Sequence, residues 1–242
     1  MSSSPEDFRI PAEHRVLRDR VYDLILEMLT RGDIQPGSRL GIDVLARELD
    51  VSPTPVREAL VQLERTGLVS REAHRGYRVA EPLTVEQVLE VYDARLVVET
   101  GAIAMAAPMI SSFLNELEAA QRRHHATAEA VLREPSTSPA LQGLLTDYFE
   151  ADWAFHLVIL KHSGNRYLLE MAESLGTHLH RRRQTLTLQE SDARLAVEEH
   201  DRIVAGLRAG SADDAVKAMR AHILDVRKRA VAAAAQESRS LD

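Results

Sequence analysis

Beyond the Glu81-Pro82 break, every segment long enough to form an element carries a helical period and none carries a strand period. Helices are expected at about 85–107, 111–133, 140–162, 166–188, 192–209 and 212–235. The breaks between them fall at Pro108, the Pro135–Pro139 loop, Ser163-Gly164-Asn165, the Glu190-Ser191 region and Gly210-Ser211. Thr84 with Gln87 three residues on gives a capping-box start, and Ser211 with Asp214 gives another cap. Only 4% of residues are aromatic and 11 are glycine, so a sheet-rich fold is disfavoured as well. Residues 81–242 are therefore expected to form an all-α antiparallel bundle.

The 80 residues before the break read differently. Apolar residues from Glu13 to Arg31 recur at helical spacing, and Gly32 with Pro36-Gly37 ends that helix. Ile42 to Leu49 is a short helix. Ser52 then stands as an N-cap, and Pro53 sits at the first helical position, where a missing N–H costs nothing. That helix runs to about Thr66. Residues 68–80 switch to a short two-stranded hairpin with His74-Arg75-Gly76 at its tip. Three helices followed by a hairpin is the order of a winged helix-turn-helix. The expected fold class is mainly α, with domains at 1–80 and 81–242.

Net charge is −7, which argues against a nucleic-acid binder only if the chain is one unit. Residues 1–80 hold 12 Arg, no Lys and 13 acidic residues, so the acidity belongs to the second part. No apolar run approaches the roughly 18 residues of a membrane span, and the polar start MSSSPEDFRI lacks a secretion signal. A cytoplasmic protein with no membrane partner is expected. Cysteine is absent, so a metal site has to draw on the 10 histidines and on carboxylates.

In the run from Leu45 to Leu60, Ala46 is small enough for a close helix crossing, Val51 fills the turn, and Val56 and Leu60 pack the second helix down. Ser52, Thr54 and Arg57 are left at that helix's exposed N-terminus, where the helix dipole and free N–H groups favour a phosphate. Arg75 and Gly76 at the wing tip add a positive group and close backbone approach. The same pattern also suits a plain helical hairpin and a solvated turn. Pro36-Gly37, Leu45-Ala46, the run Val51 to Leu60, Leu63-Glu64 and Gly67-Leu68-Val69 resemble the winged-helix domain of GntR-type bacterial transcription regulators. The resemblance implies DNA contacts at Ser52, Thr54, Arg57, Arg75 and Gly76. Two positions depart from it: Pro53 stands where the family often has Arg, and Asp43 where it often has a basic residue.

In the second part, Asp152 and His156 lie four apart on one helical face. His200 lies 10 residues before Gly210 and His222 lies 12 after it, so two antiparallel helices would bring them to one level. Three imidazoles and a carboxylate converging inside a bundle suit a divalent ion, Zn²⁺ or Ni²⁺ first, with Mn²⁺ or Fe²⁺ next. Asp152 with His156 is equally a simple i,i+4 hydrogen bond. His124, His125, His162, His178 and His180 are expected to be surface or internally satisfied residues. Asp152-Trp-Ala-Phe-His156, Gly164-Asn165, Glu199-His200, Gly210 and His222 resemble the FCD effector domain of the FadR subfamily. That resemblance implies a divalent metal on Asp152, His156, His200 and His222, a small carboxylate as effector, and Arg95 pointing into the effector cavity. Arg95 could instead pair with Asp93 or Glu99. No HExxH, GxSxG or P-loop pattern is present, so no enzyme is expected, although an open metal site also suits a metal-dependent hydrolase or a sensor of the ion itself. The combined expectation is a homodimeric transcription regulator, a repressor in the first instance. It would bind a palindromic double-stranded operator under control of the carboxylate.

Overall fold

A computed structural model describes residues 12–72, 76–138, 140–176 and 190–241. The chain divides into two compact units, Met1–Glu81 and Pro82–Asp242.

The first unit contains α1 (Ala12–Arg31), β1 (Arg39–Leu40), α2 (Ile42–Glu48), α3 (Pro53–Glu64), β2 (Val69–Glu72) and β3 (Gly76–Val79). Its core is the inward stripe of α1 (Val21, Ile25, Leu29), with Leu45 and Ala46 of α2 and Val56, Ala59, Leu60 and Leu63 of α3. Leu68, Val69, Tyr77 and Val79 of the sheet close it from below. The sheet is antiparallel in the order β1-β3-β2, with Leu40 opposite Tyr77 and Val69 opposite Val79. The expected two-stranded hairpin is present as β2 and β3, and β1 adds a third strand on the far side of β3. β1 has two residues, too few for an alternating pattern to register in sequence. Arg78 on β3 pairs with Glu72 and donates to the Gly37 carbonyl, tying the wing to the turn before β1.

Among the described residues, the second unit contains α4 (Val85–Ala106), α5 (Ile110–Arg133), α6 (Leu141–His162), α7 (Arg166–Ser174), α8 (Glu190–Arg208) and α9 (Ala212–Leu241), with a 3-10 turn at Ala107–Met109. Both Thr84 and Gln87 complete the capping box, and Ser211 caps α9 at the Asp214 N–H. Three boundaries differ from expectation. α7 stops at Ser174 instead of 188, because Gly176 takes a left-handed φ of 56° and turns the chain out of the helix; the remainder of that expected helix, with His178 and His180, lies outside the described residues. α8 starts at Glu190, inside the expected break, and α9 runs on to Leu241.

Tyr92, Ile103, Phe113, Leu117, Phe155, Ile159, Ile203, Leu207, Met219 and Ile223 form one continuous core. An 18-residue window within residues 85–133 reaches a mean hydropathy of 1.5, enough by length and composition for a membrane span. The expectation concerned an apolar run, and this stretch is interrupted by Arg95 and Glu99. Small and branched residues raise the average without forming an unbroken apolar run. In this fold Val98, Ala102, Ile103 and Ala106 of that stretch are buried in the bundle.

Candidate functional site

In the first unit, the turn between α2 and α3 fixes the direction of α3. Asp50 adopts a left-handed φ of 52°, and the Val51 N–H donates to the Ala46 carbonyl at 2.9 Å, closing the end of α2. Ser52 holds the N-cap position of α3 with extended backbone, but its hydroxyl makes no capping hydrogen bond. The sequence explains this: Pro55, at the third helical position, has no N–H to donate, and Pro53 has none at the first. Two of the four free amides of a helix start are therefore missing, and the amide-based anion site expected there is halved. What this helix end offers a nucleic acid is its side chains. Ser52, Thr54 and Arg57 are all exposed. Arg57 also lines a cleft of about 500 Å³ with Arg18, Glu58, Val61, Gln62 and Arg65. Gly76 is exposed at the start of β3 with φ 85°, a conformation that favours glycine, while Arg75 lies outside the described residues.

In the second unit, three helices bring Asp152, His156, His200 and His222 to one buried place. Asp152 and His156 come from one face of α6, His200 from α8 and His222 from α9. The last two helices can approach because Gly206 has no side chain: a Cβ there would lie 2.8 Å from the Ala215 nitrogen. Nε2 of His200 and Nε2 of His222 are then 3.4 Å apart, and Oδ1 of Asp152 is 3.8 Å from Nε2 of His200. Phe155 stacks on the His200 ring at 4.0 Å and holds it in plane.

The four residues do not form one ring of donors. His156, His200 and His222 place their ligand atoms within 4.8 Å of one another, and so do His124, Asp152 and His200. Of the two expectations for His124, a surface residue or an internally satisfied one, the first is corrected. Its side chain is fully buried, with Nε2 3.7 Å from Oδ1 of Asp152. The signal for this was in the sequence. The inward residues of α5 are Phe113, Leu117, Gln121, His124, Ala128 and Val131, a helical stripe that contains His124 and excludes His125. His125 instead pairs with Asp201 at 3.0 Å, and His162 with Glu116 at 2.9 Å.

Carboxylates stand behind two of the imidazoles. Nδ1 of His156 faces Glu99 at 2.5 Å, and Nδ1 of His222 donates to Glu199 at 2.8 Å. The His222 ring thus spends its proton on the far side and turns the lone pair of Nε2 inward, whereas Nε2 of His156 faces the Arg95 guanidinium. Arg229 holds Glu199 with two hydrogen bonds of 2.8 and 2.9 Å. Arg95, 4% exposed, pairs with Glu99 as the i,i+4 alternative anticipated, and also lies 3.0 Å from Nε2 of His156. Sequence reasoning placed Glu99 only as a partner for Arg95 and missed Arg229.

The electrostatics follow from burial. Burial pushes the His200 imidazole well below its usual pKa, and His222, His124, His156 and Arg95 push it further. His222 falls to about 4, again by burial first, with its Glu199 hydrogen bond opposing. Burial alone would raise Glu99 and Glu199; Arg95 and His156 for the first, and His222 and Arg229 for the second, outweigh it and bring both down to about 2. Neutral imidazoles beside ionised carboxylates are the protonation states a divalent metal requires. In a tetrahedral site with Zn–N bonds of about 2.1 Å, two ligand nitrogens lie about 3.4 Å apart, which the His200–His222 separation matches. The residues present therefore fit a metal.

Residues 90–225 match the family described as FCD domain, and residues 17–79 match the family described as bacterial regulatory proteins, gntR family. The HTH-type transcriptional repressor GlaR of Escherichia coli is 29% identical over 210 residues, covering 84% of this chain and 90% of that protein. The HTH-type transcriptional regulator LutR of Bacillus subtilis is 28% identical over 222 residues, covering 82% and 94%. Among solved structures, E. coli McbR/YncC shares the fold with a TM-score of 0.67 at 23% identity, covering 92% of this chain and 98% of that one. The chain belongs to the GntR family of bacterial transcription regulators, with a winged helix-turn-helix domain followed by an FCD domain, and is a DNA-binding regulator, not an enzyme.

Proposed function

We propose that this regulator is a cytoplasmic homodimeric repressor whose grip on a palindromic operator is set by a small carboxylate bound at a metal-containing pocket in the second unit. The observation that carries the reading is the buried donor set: the imidazoles of His156, His200 and His222 with the carboxylate of Asp152, with Glu199 turning His222 inward. Those four residues would hold the ion, Zn²⁺ or Ni²⁺ by donor chemistry, with Mn²⁺ and Fe²⁺ as further candidates. When bound, the ion supplies a Lewis-acidic position for carboxylate oxygens. Arg95 supplies the opposite charge from α4. A guanidinium has five N–H donors, and those to Glu99 and His156 account for two of them.

Ser52, Thr54 and Arg57, with Arg75 and Gly76 at the wing, are the proposed DNA contacts. The repressor sign is supported by the similarity to GlaR, a transcriptional repressor of Escherichia coli. Dimerisation is supported by the outward face of α4. Val97 is 73% exposed, Met105 is exposed one turn past Gly101, and nothing lies within 4 Å of a Cβ built on Gly101. Tyr167 and Met171 on α7 add exposed apolar surface within the same unit. Placing a charge there, as in Val97→Glu, is expected to convert a species of twice 27.0 kDa into one of 27.0 kDa in light scattering. An unchanged mass would remove α4 from the dimer contact.

The functional test is the electrophoretic mobility of DNA from upstream of the protein's own gene, with metal and with small carboxylates. A carboxylate that changes affinity only in the presence of metal supports the reading. A shift caused by the ion alone favours the second reading, a metal sensor, for which the same buried donor set is the supporting observation.

A further inference from the structure

The donor set contains one more residue than a four-ligand site needs. His124 is fully buried on α5, its Nε2 is 3.7 Å from Oδ1 of Asp152, and its ring centroid is 4.7 Å from that of His200. His124, Asp152 and His200 present their ligand atoms within 4.8 Å of one another, as tightly as His156, His200 and His222 do. His200 is the member the two triads share. We infer that His124 is a ligand of the metal centre, closing with Asp152 and His200 a second three-donor station beside the station formed by His156, His200 and His222. The inference rests on the metal-binding reading above and deepens it.

Two stations do not mean two ions. Nε2 of His200 is the atom that faces both His222, at 3.4 Å, and Asp152, at 3.8 Å. One imidazole nitrogen has one lone pair, so it serves one ion at a time. The stations therefore hold a single ion between them, joining α5, α6, α8 and α9. His124 is placed for this by packing: Tyr148 of α6 lies against its ring at 5.0 Å, and α5 lies directly against α6 and α8. An ion that leans toward the station of His124 gives up donors on the side of His156, next to Arg95. The two positions thus differ in how close the ion lies to the guanidinium proposed to hold the effector.

The test uses the full chain, stripped of metal and titrated with Co²⁺, whose visible absorption reports the number and type of its ligands. Wild-type protein is expected to take up one Co²⁺ per chain. His124→Phe keeps the ring packed against Tyr148, and His124→Gln keeps a polar group; both are expected to change the Co²⁺ spectrum and to weaken binding by about tenfold or more. Circular dichroism establishes that each variant is folded, and a change confined to an unfolded variant is resolved by the other. A wild-type spectrum and affinity in folded His124→Phe and His124→Gln would overturn the role of His124 while leaving the metal centre intact. Two ions per chain would overturn the shared-ion arrangement. A wild-type chain that binds no Co²⁺, nor Zn²⁺ or Ni²⁺ in the same titration, would overturn the metal-binding reading itself.

Discussion

Arg57→Ala is expected to weaken operator binding by about 10- to 100-fold, the loss of roughly 1–3 kcal/mol that follows removal of one good base or phosphate contact. The fold should survive the change, because Arg57 is exposed and the side chains that pack α3 are Val56, Ala59, Leu60 and Leu63. The effect is expected to be large because α3 has so few other means of holding DNA. Its first turn lacks two amides, at Pro53 and Pro55, and Ser52 and Thr54 are short. The salt dependence separates two roles. A phosphate contact lowers the slope of log affinity against log salt by about one, whereas a base contact lowers affinity on operator and leaves non-specific DNA nearly unchanged. Equal affinity of Arg57→Ala and wild type at one salt concentration would remove Arg57 from the recognition surface.

Replacing His200 and His222 together with Ala is expected to empty the metal centre. Changing one residue behind a metal ligand already costs about 10- to 100-fold in affinity. Removing two direct donors, one of them shared by both triads, costs more, so metal content measured on purified protein should fall to background. The double variant should also lose the stabilisation that added metal gives the wild type, about 2.7 kcal/mol at a concentration a hundred times the dissociation constant. Deleting the imidazoles relieves the cost of burying them but leaves Glu199 without one of its hydrogen-bond donors, so Arg229 becomes its main partner. Glu199→Gln serves as the milder companion: it keeps the volume and removes the charge that fixes the His222 tautomer. A double variant with wild-type metal content would place the ion elsewhere.

How much of this was legible in the sequence differs by element. The long amphipathic helices and their caps were readable because burial on one face writes a 3.6-residue period, as in Phe113, Leu117, Gln121 and His124. β1 was not, since Arg39-Leu40 gains its strand character only from pairing with Tyr77 and Arg78 far along the chain. The i,i+4 spacing of Asp152 and His156 and the symmetric placement of His200 and His222 about Gly210 were local facts, and the structure buries all four, with His200 linking Asp152 on one side to His156 and His222 on the other. Their division into two triads depends on how α5 leans on α6 and α8, a tertiary fact without local signature. His124 shows the limit most clearly. It lay on the inward stripe of its helix, but next to His125, and a pair of adjacent histidines reads as a polar surface until the stripe is drawn through it. The overall charge misled in the opposite direction, since the acidity belongs to the second unit, and the proposed DNA-reading face needs only a few arginines placed locally on the first.

The central claim is that a ligand held at the buried metal centre of the second unit controls the DNA affinity of the first. The most direct measurement is a mobility shift on the DNA upstream of the protein's own gene, with a panel of small carboxylates, each run with metal-loaded protein and again after chelation. At least one carboxylate is expected to change the affinity by about 5- to 150-fold, the range of a coupling energy of 1–3 kcal/mol, and to do so only with metal present. An affinity that responds identically to every carboxylate with and without chelator would contradict the coupling of the metal centre to DNA binding.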